Sequence, residues 1–461
     1  MLTPKQWFTR TLLAILFLAA LLRITGFAVR FSLESLQMDF SAFYTAGESL
    51  NHGLSPYTNY LNHDPRIWDG INILQHSRFH YPPLVGNFFQ LFALLPYAVA
   101  KGLWTLIEIA CLGASLYITF KILRQPLGLE SLLSLGILVC LYYPLLILLE
   151  RGQVDTITLL LLLLGIQWII ARRNTFWAGV LFALAALVKL HCIYILPFLI
   201  LRKQWKALGG LTAAGIGLIL LSTVLNGPVS SLDYVQKQIP AISNYGNILP
   251  GETDPFKQTA VELLKDLPRG YTLMDGRRYI STDISFYDNA TLVRTRLSSL
   301  LQSITRKLSG LELNVSTSSL IFFGAAFGLF VLWERFSQHA SLEADPGTEF
   351  IFWQIPLAII LLCAPLTWPM NCIWLLPTAF VLARELSLPS SLESPAKTTG
   401  WMLSVCAGIL GLILAALPDS LGFRFLVPYG ERLVRYKYVL GEILVLGGLL
   451  GIRRSRTTSP R

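Results

Sequence analysis

Residues 155–203 read DTITLLLLLLGIQWIIARRNTFWAGVLFALAALVKLHCIYILPFLILRK. Three apolar runs are separated by Arg172-Arg173 and by Lys189-Leu190-His191, and Arg202-Lys203 closes the last. Apolar runs with charges only at their ends are the pattern of membrane-crossing helices, each needing about 20 residues for a full span. The second and third runs, 176–188 and 190–201, are together too long for one span and short for two. Short loops keep their Lys and Arg on the cytoplasmic side. Both basic pairs lie inside only if the chain between them is a hairpin whose turn, Lys189-Leu190-His191, lies outside.

The rest of the chain extends this pattern. Of 461 residues, 54% are hydrophobic and 14% charged, against about 25% charged in soluble domains; mean hydropathy is +0.57. The expected fold class is an all-α polytopic membrane protein with about 12 transmembrane helices, at 8–29, 102–120, 128–149, 155–171, 176–188, 190–201, 207–225, 316–333, 350–366, 370–384, 401–417 and 437–452. The first run follows Lys5 and Arg10 and reads as a retained helix rather than a cleaved signal. Residues 84–97 read as a half-helix or interfacial helix. The organisation expected is a module over 1–225 whose large first outer loop, 30–83, carries short helices; a polar region over 226–315; and a second membrane module over 316–461. The net charge of +10 reads as basic helix ends rather than a nucleic-acid surface. The six cysteines fall in apolar segments without a CxxC, which supports neither a zinc site nor a disulfide framework.

With the N-terminus inside, Lys121/Arg124, Arg335, Arg384/Lys397 and Arg453/Arg454/Arg456 also fall inside. The polar clusters then converge outside: Asp39–His80, Glu150–Asp155, Lys189–His191 and Pro365–Asn371. Asp39 begins an amphipathic helix with Phe40, Phe43, Tyr44 and Gly47 on one face. Two roles stand side by side for it, a general base that deprotonates an acceptor hydroxyl and a helix cap. Gly53-Leu54-Ser55-Pro56-Tyr57 is a turn. His76 and His80, spaced i, i+4, suit a metal only as the minority reading; the expectation is no metal and no cofactor. Arg151 and Lys189 are cations at outer span ends, where a lipid phosphate is a natural partner, against the alternative of snorkelling. Lys101 reads as snorkelling. Trp368-Pro369-Met370-Asn371 reads either as an aromatic-belt turn or as a sugar-binding loop, with Trp368 stacking and Asn371 hydrogen bonding.

Met38-Asp39-Phe40-x-x-Phe43-Tyr44 with Gly53-x-x-Pro56-Tyr57 resembles the first-loop signature of glycosyltransferase family 87, polyprenyl-phosphate-mannose-dependent proteins of the GT-C superfamily. Tyr81-Pro82-Pro83 and the apolar segment ending near Pro96, Gly152-Gln153-Val154-Asp155, Ala178-Gly179 with Lys189, and Pro365-x-x-Trp368 are similar to its later blocks. The resemblance implies a GT-C fold in the cell membrane and inverting transfer of mannose or a related sugar from a polyprenyl-phosphate donor to a lipid or glycan acceptor on the extracytoplasmic face. Asp39 would be the base. Arg151 and Lys189 would hold the donor phosphate. Substrate contacts would come from Phe40, Tyr44, Tyr57, His80, Tyr81, Gln153, Asp155, His191, Trp368 and Asn371. The sequence departs from the family pattern in having Asp155 in place of Asn, Leu190-His191 in place of Pro after Lys189, and Asn371 near a frequent His position. The rival classes are a polytopic transporter, for which no inverted repeat is visible, a non-catalytic assembly subunit, which would tolerate Asn at position 39, and a polysaccharide polymerase or ligase, which would carry its catalytic groups in a large late loop.

Overall fold

The computed structural model describes residues 3–33, 38–57, 79–124, 127–240, 308–310, 315–337, 345–365, 367–387, 395–418 and 429–457. All regular structure among them is helical, as a chain in lipid requires, because a helix satisfies its own backbone groups. The helices are α1 (Pro4–Leu33), α2 (Met38–Asn51), α3 (Pro83–Ala93), α4 (Tyr97–Leu123), α5 (Leu129–Leu141), α6 (Tyr143–Arg151), α7 (Asp155–Ile170) and α8 (Thr175–Val188). They continue with α9 (Leu196–Leu201), α10 (Trp205–Asp233), α11 (Val315–Ser337), α12 (Pro346–Cys363), α13 (Leu376–Ser387), α14 (Pro395–Ala416) and α15 (Tyr429–Thr457). The protein is an integral multi-pass membrane protein.

Among the described residues, six helices are long and apolar enough to cross a membrane, and a seventh span arises if α5 and α6, bent by 47° at their junction, are taken together. The bend explains why 128–149 reads as one run in the sequence: apolarity continues through Tyr142, whose extended backbone breaks the helix just before Pro144. The pair 176–188 and 190–201 is broken at Lys189, which adopts an extended conformation between α8 and a 3-10 turn over Leu190–Ile195. Residues 83–93 form the short helix expected there, with Pro83 at its first position. The polar region expected from residue 226 begins inside a helix, since α10 runs on past a kink at Gly227-Pro228 to Asp233. Residues 241–307 lie outside the described part.

Helix α12 is the axis of the bundle. It is buried on every side from Phe350 to Cys363, as expected of a helix apolar all round. By contrast α1, α10, α11 and α14 turn most of their apolar surface outward, where lipid covers it. The two ends of α12 differ in chemistry. At its start, Arg202 pairs with Glu349, Arg384 with Asp345, Arg453 with Glu334 and Arg456 with Glu385. These pairs tie together the ends of α9, α11, α12, α13 and α15. Past its other end lie Trp368 and Asn371, which open a 3-10 turn over Pro369–Leu375.

Candidate active site

The site is built on an aromatic platform. Helix α2 lies on α3 so closely that a Cβ at Gly47 would meet the Phe89 carbonyl oxygen at 2.4 Å. This contact brings Phe40 and Phe43 of α2 against Phe89 and against Trp104 of α4. The Phe43 and Phe89 rings stack at 4.7 Å. Phe40 is fully buried, and the Tyr44 hydroxyl donates to the Leu95 carbonyl. Both belong to the packing beneath the site. The platform fixes the start of α2, and with it Asp39.

A sharp turn delivers the next residues. Helix α6 ends at Arg151, and Gly152 takes φ +69° in the left-handed region that glycine adopts without strain. The Gly152 and Gln153 amides both return to the Leu148 carbonyl, and Trp104 Nε1 donates to the Gly152 carbonyl. Helix α7 then begins at Asp155. Arg151 at a helix C-terminus and Asp155 at a helix N-terminus each oppose the local dipole charge, so the turn suits both.

The buried polar groups join into one chain. Arg151 clasps Asp39, with Nε to Oδ2 at 2.6 Å and Nη2 to Oδ1 at 3.2 Å. Gln153 Nε2 also donates to Asp39 Oδ2, at 2.7 Å. The Gln153 Oε1 accepts from the Tyr81 hydroxyl at 3.2 Å and from Lys189 Nζ at 3.4 Å. Lys189 pairs with Asp155 at 3.3 Å. Asp155 Oδ1 accepts from Asn371 Nδ2, and Asn371 Oδ1 accepts from the Trp368 amide. The Arg151 guanidinium lies 5.3 Å from the Trp368 ring centroid. Burial pushes the Tyr81 phenol up to about 12, against the lowering effect of Lys189, so it remains a donor at physiological pH.

Seven of the residues singled out in the sequence therefore meet: Asp39, Tyr81, Arg151, Gln153, Asp155, Lys189 and Asn371, with Trp368 over the guanidinium. Others stand at the edge. The Tyr57 hydroxyl donates to the Tyr81 carbonyl, His80 Nδ1 lies 3.1 Å from Gln238 Oε1, and His191 packs on Trp374 at 5.3 Å. His76 lies outside the described residues, among which no group of three or more His, Cys, Asp or Glu stands at metal-binding spacing. Lys101 differs from the snorkelling expected of it. It is 1% exposed, with its ammonium 5.8 Å from the Tyr97 ring centroid. Three features were missed in the sequence. Trp104 clamps the turn through its indole N–H. The π-helical turn that continues α10 over Tyr234–Gln238 reaches His80 through Gln238. Glu108, about one turn beyond Trp104, is fully buried and neither of its oxygens has a hydrogen-bond partner. An apolar helix gives no sequence signal for the first, and Glu108 was legible as a carboxylate inside a span.

The described residues thus form a multi-pass membrane protein with buried carboxylates and cations gathered at one end of its bundle. The model of glycosyltransferase family 87 matches residues 79–345, more than half of the chain, and the chain belongs to that family. It is a membrane glycosyltransferase. No match is found among curated proteins. The matched region holds Tyr81, Arg151, Gln153, Asp155 and Lys189, whereas Asp39, Trp368 and Asn371 lie outside it and join the site through the contacts above.

Proposed function

We propose that the protein moves a sugar, mannose or a related hexose or pentose, from a polyprenyl-phosphate donor to a hydroxyl of a lipid or glycan acceptor on the extracytoplasmic face of the cell membrane, within a GT-C fold. The observation that carries this reading is the convergence of Asp39, Arg151 and Lys189 in one buried cluster at a single end of the bundle. The acceptor oxygen attacks the anomeric carbon as the bond to the phosphate oxygen breaks, and the configuration inverts. The acceptor proton passes to Asp39, and polyprenyl phosphate leaves with the bonding electrons. The phosphate is a good leaving group, so one carboxylate suffices and the paired carboxylates of retaining enzymes are not needed. Arg151 offers the phosphate a planar fork and Lys189 a point charge. Tyr57, His80 and His191 are assigned to sugar and acceptor contact on this reading. The scheme uses no cofactor.

The test is turnover of purified Asp39→Asn with a polyprenyl-phosphate sugar, beside thermal unfolding of the same preparation. Loss of a positioned base typically costs about 10²–10⁴-fold in rate, whereas Asn caps a helix about as well as Asp. Asp39→Asn leaves Arg151 without its counter-charge and so costs some stability, but the protein should still fold while transfer collapses. Wild-type transfer by Asp39→Asn removes the base from this residue, and failure of Asp39→Asn to fold assigns Asp39 to structure.

A further inference from the structure

We propose that Gln153 is a positioning residue for Asp39, holding its carboxylate in place and linking it to the Lys189 side of the site. The inference rests on the reading of Asp39 as the base, and it moves Gln153 from substrate contact to support.

Charge dictates the orientation of the Gln153 amide. Its Nε2 faces the Asp39 carboxylate at 2.7 Å, while its Oε1 faces three donors: Tyr81 Oη, Lys189 Nζ and the Val154 amide at 3.3 Å. Flipping the amide would set its carbonyl against a carboxylate and its N–H groups against an ammonium, a phenol and an amide. One orientation therefore satisfies every partner. Gln153 is 6% exposed and held by the Gly152 turn, so it holds its place without a substrate. Asp39 Oδ2 accepts from Arg151 at 2.6 Å and from Gln153 at 2.7 Å, while Arg151 reaches Oδ1 at 3.2 Å. When a phosphate draws Arg151 away, Gln153 still holds Oδ2. Among the described residues, the charged groups near Asp39 include Arg151 from α6 and Lys189 from the end of α8, with the Tyr81 phenol alongside and Asp155 behind Lys189. Gln153 is the neutral link between the Asp39 pair and the Lys189 pair.

The experiment compares Gln153→Glu and Gln153→Leu with wild type and Asp39→Asn, using purified protein and a polyprenyl-phosphate sugar. Gln153→Glu keeps the acceptor side toward Lys189 but sets a second carboxylate against Asp39 Oδ2. Like charges in one site raise one of the pair's protonation points, so the acidic limb of the kcat–pH profile should move up by about one unit or more. Gln153→Leu frees Asp39 to rotate and should lower kcat about 10–100-fold, with donor KM within about threefold of wild type. A double-mutant cycle gives a readout independent of turnover: Gln153→Glu should melt below wild type at alkaline pH, and adding Asp39→Asn should restore much of the loss. An unmoved limb with raised donor KM makes Gln153 a substrate ligand and overturns the proposal. Absence of recovery in the cycle overturns it too. Asp39→Asn separates the two readings. Lost transfer there with an unmoved limb in Gln153→Glu sinks the positioning role alone, and retained transfer there sinks the base itself.

Discussion

Replacing Arg151 with Met removes half of a buried ion pair. The side chains of Arg151 and Asp39 are 7% and 8% exposed, and two hydrogen bonds join them. Removing one partner of such a pair costs about 3–5 kcal/mol, because the other charge stays buried without its compensation. Two features of the site place the expected cost near the lower end, about 3 kcal/mol. Gln153 continues to donate to Asp39, and the site lies at an end of the bundle rather than at its middle. Asp39→Asn should cost less alone, since it removes the charge and keeps the shape. In the double variant no uncompensated carboxylate remains, so the combined loss should fall short of the sum of the single losses by about 1–3 kcal/mol. The assay is fluorescence-detected thermal unfolding of the four proteins in one detergent at one scan rate. Donor affinity, measured on the same samples, should fall in Arg151→Met and stay near wild type in Asp39→Asn. Simple additivity of the two unfolding losses would refute the ion-pair reasoning. Unchanged donor affinity in Arg151→Met would leave Arg151 as a structural partner of Asp39 alone.

Two further outcomes are expected. At the opposite end of the bundle, Asp345 accepts from the Gly347 amide and the Thr348 hydroxyl and pairs with Arg384; burial raises its protonation point, but the Thr348 hydroxyl, Arg384 and the Gly347 amide together bring it below the usual carboxylate value of 3.8. Its contribution to stability is therefore present above that value and lost as pH falls through the lower folded value, so acid unfolding curves should lose this component in Asp345→Asn, and curves that coincide would exclude it. For topology, Lys237→Cys near the site end and Arg173→Cys at the other end, each in a cysteine-free background, should label with an impermeant thiol reagent in intact cells at Lys237→Cys only; the reverse pattern would invert the orientation.

The helices were legible because apolar runs bounded by charge have one physical solution in lipid, as Asp155–Ile170 between Gln153 and Arg172 shows. The members of the site were legible for a related reason. A buried Arg151, Lys189 or Asp155 at a span end is costly, so its presence in an apolar chain marks a partner nearby. What the sequence left open was the pairing. Nothing in the spacing says that Arg151 takes Asp39 while Lys189 takes Asp155, since that choice depends on where the Gly152 turn aims successive side chains. Tertiary packing likewise decided Phe40, a candidate substrate contact by sequence that α3 and α4 bury completely. The bend at Tyr142 escaped notice because apolar residues continue through it, and hydropathy reports burial rather than direction.

The pairing bears on how such a site can wait for its substrate. Two carboxylates and two cations neutralise each other in pairs, and Gln153 joins the pairs without adding charge. A phosphodiester brings one negative charge, so on the proposed reading it enters by exchange, taking a cation from a carboxylate that already holds it. If it takes Arg151, the same movement releases both oxygens of Asp39 from the guanidinium, and Gln153 still holds Oδ2. Donor capture and release of the base then become one event. Before the donor arrives, a hydroxyl or a water reaching Asp39 meets a carboxylate engaged at both oxygens. The ion pair seen here would thus work against wasteful proton transfer in the empty enzyme, and the free energy of phosphate binding would have to exceed the cost of opening it. That requirement favours Arg over Lys at position 151, because a planar fork can hand over from a carboxylate to a phosphate one N–H at a time.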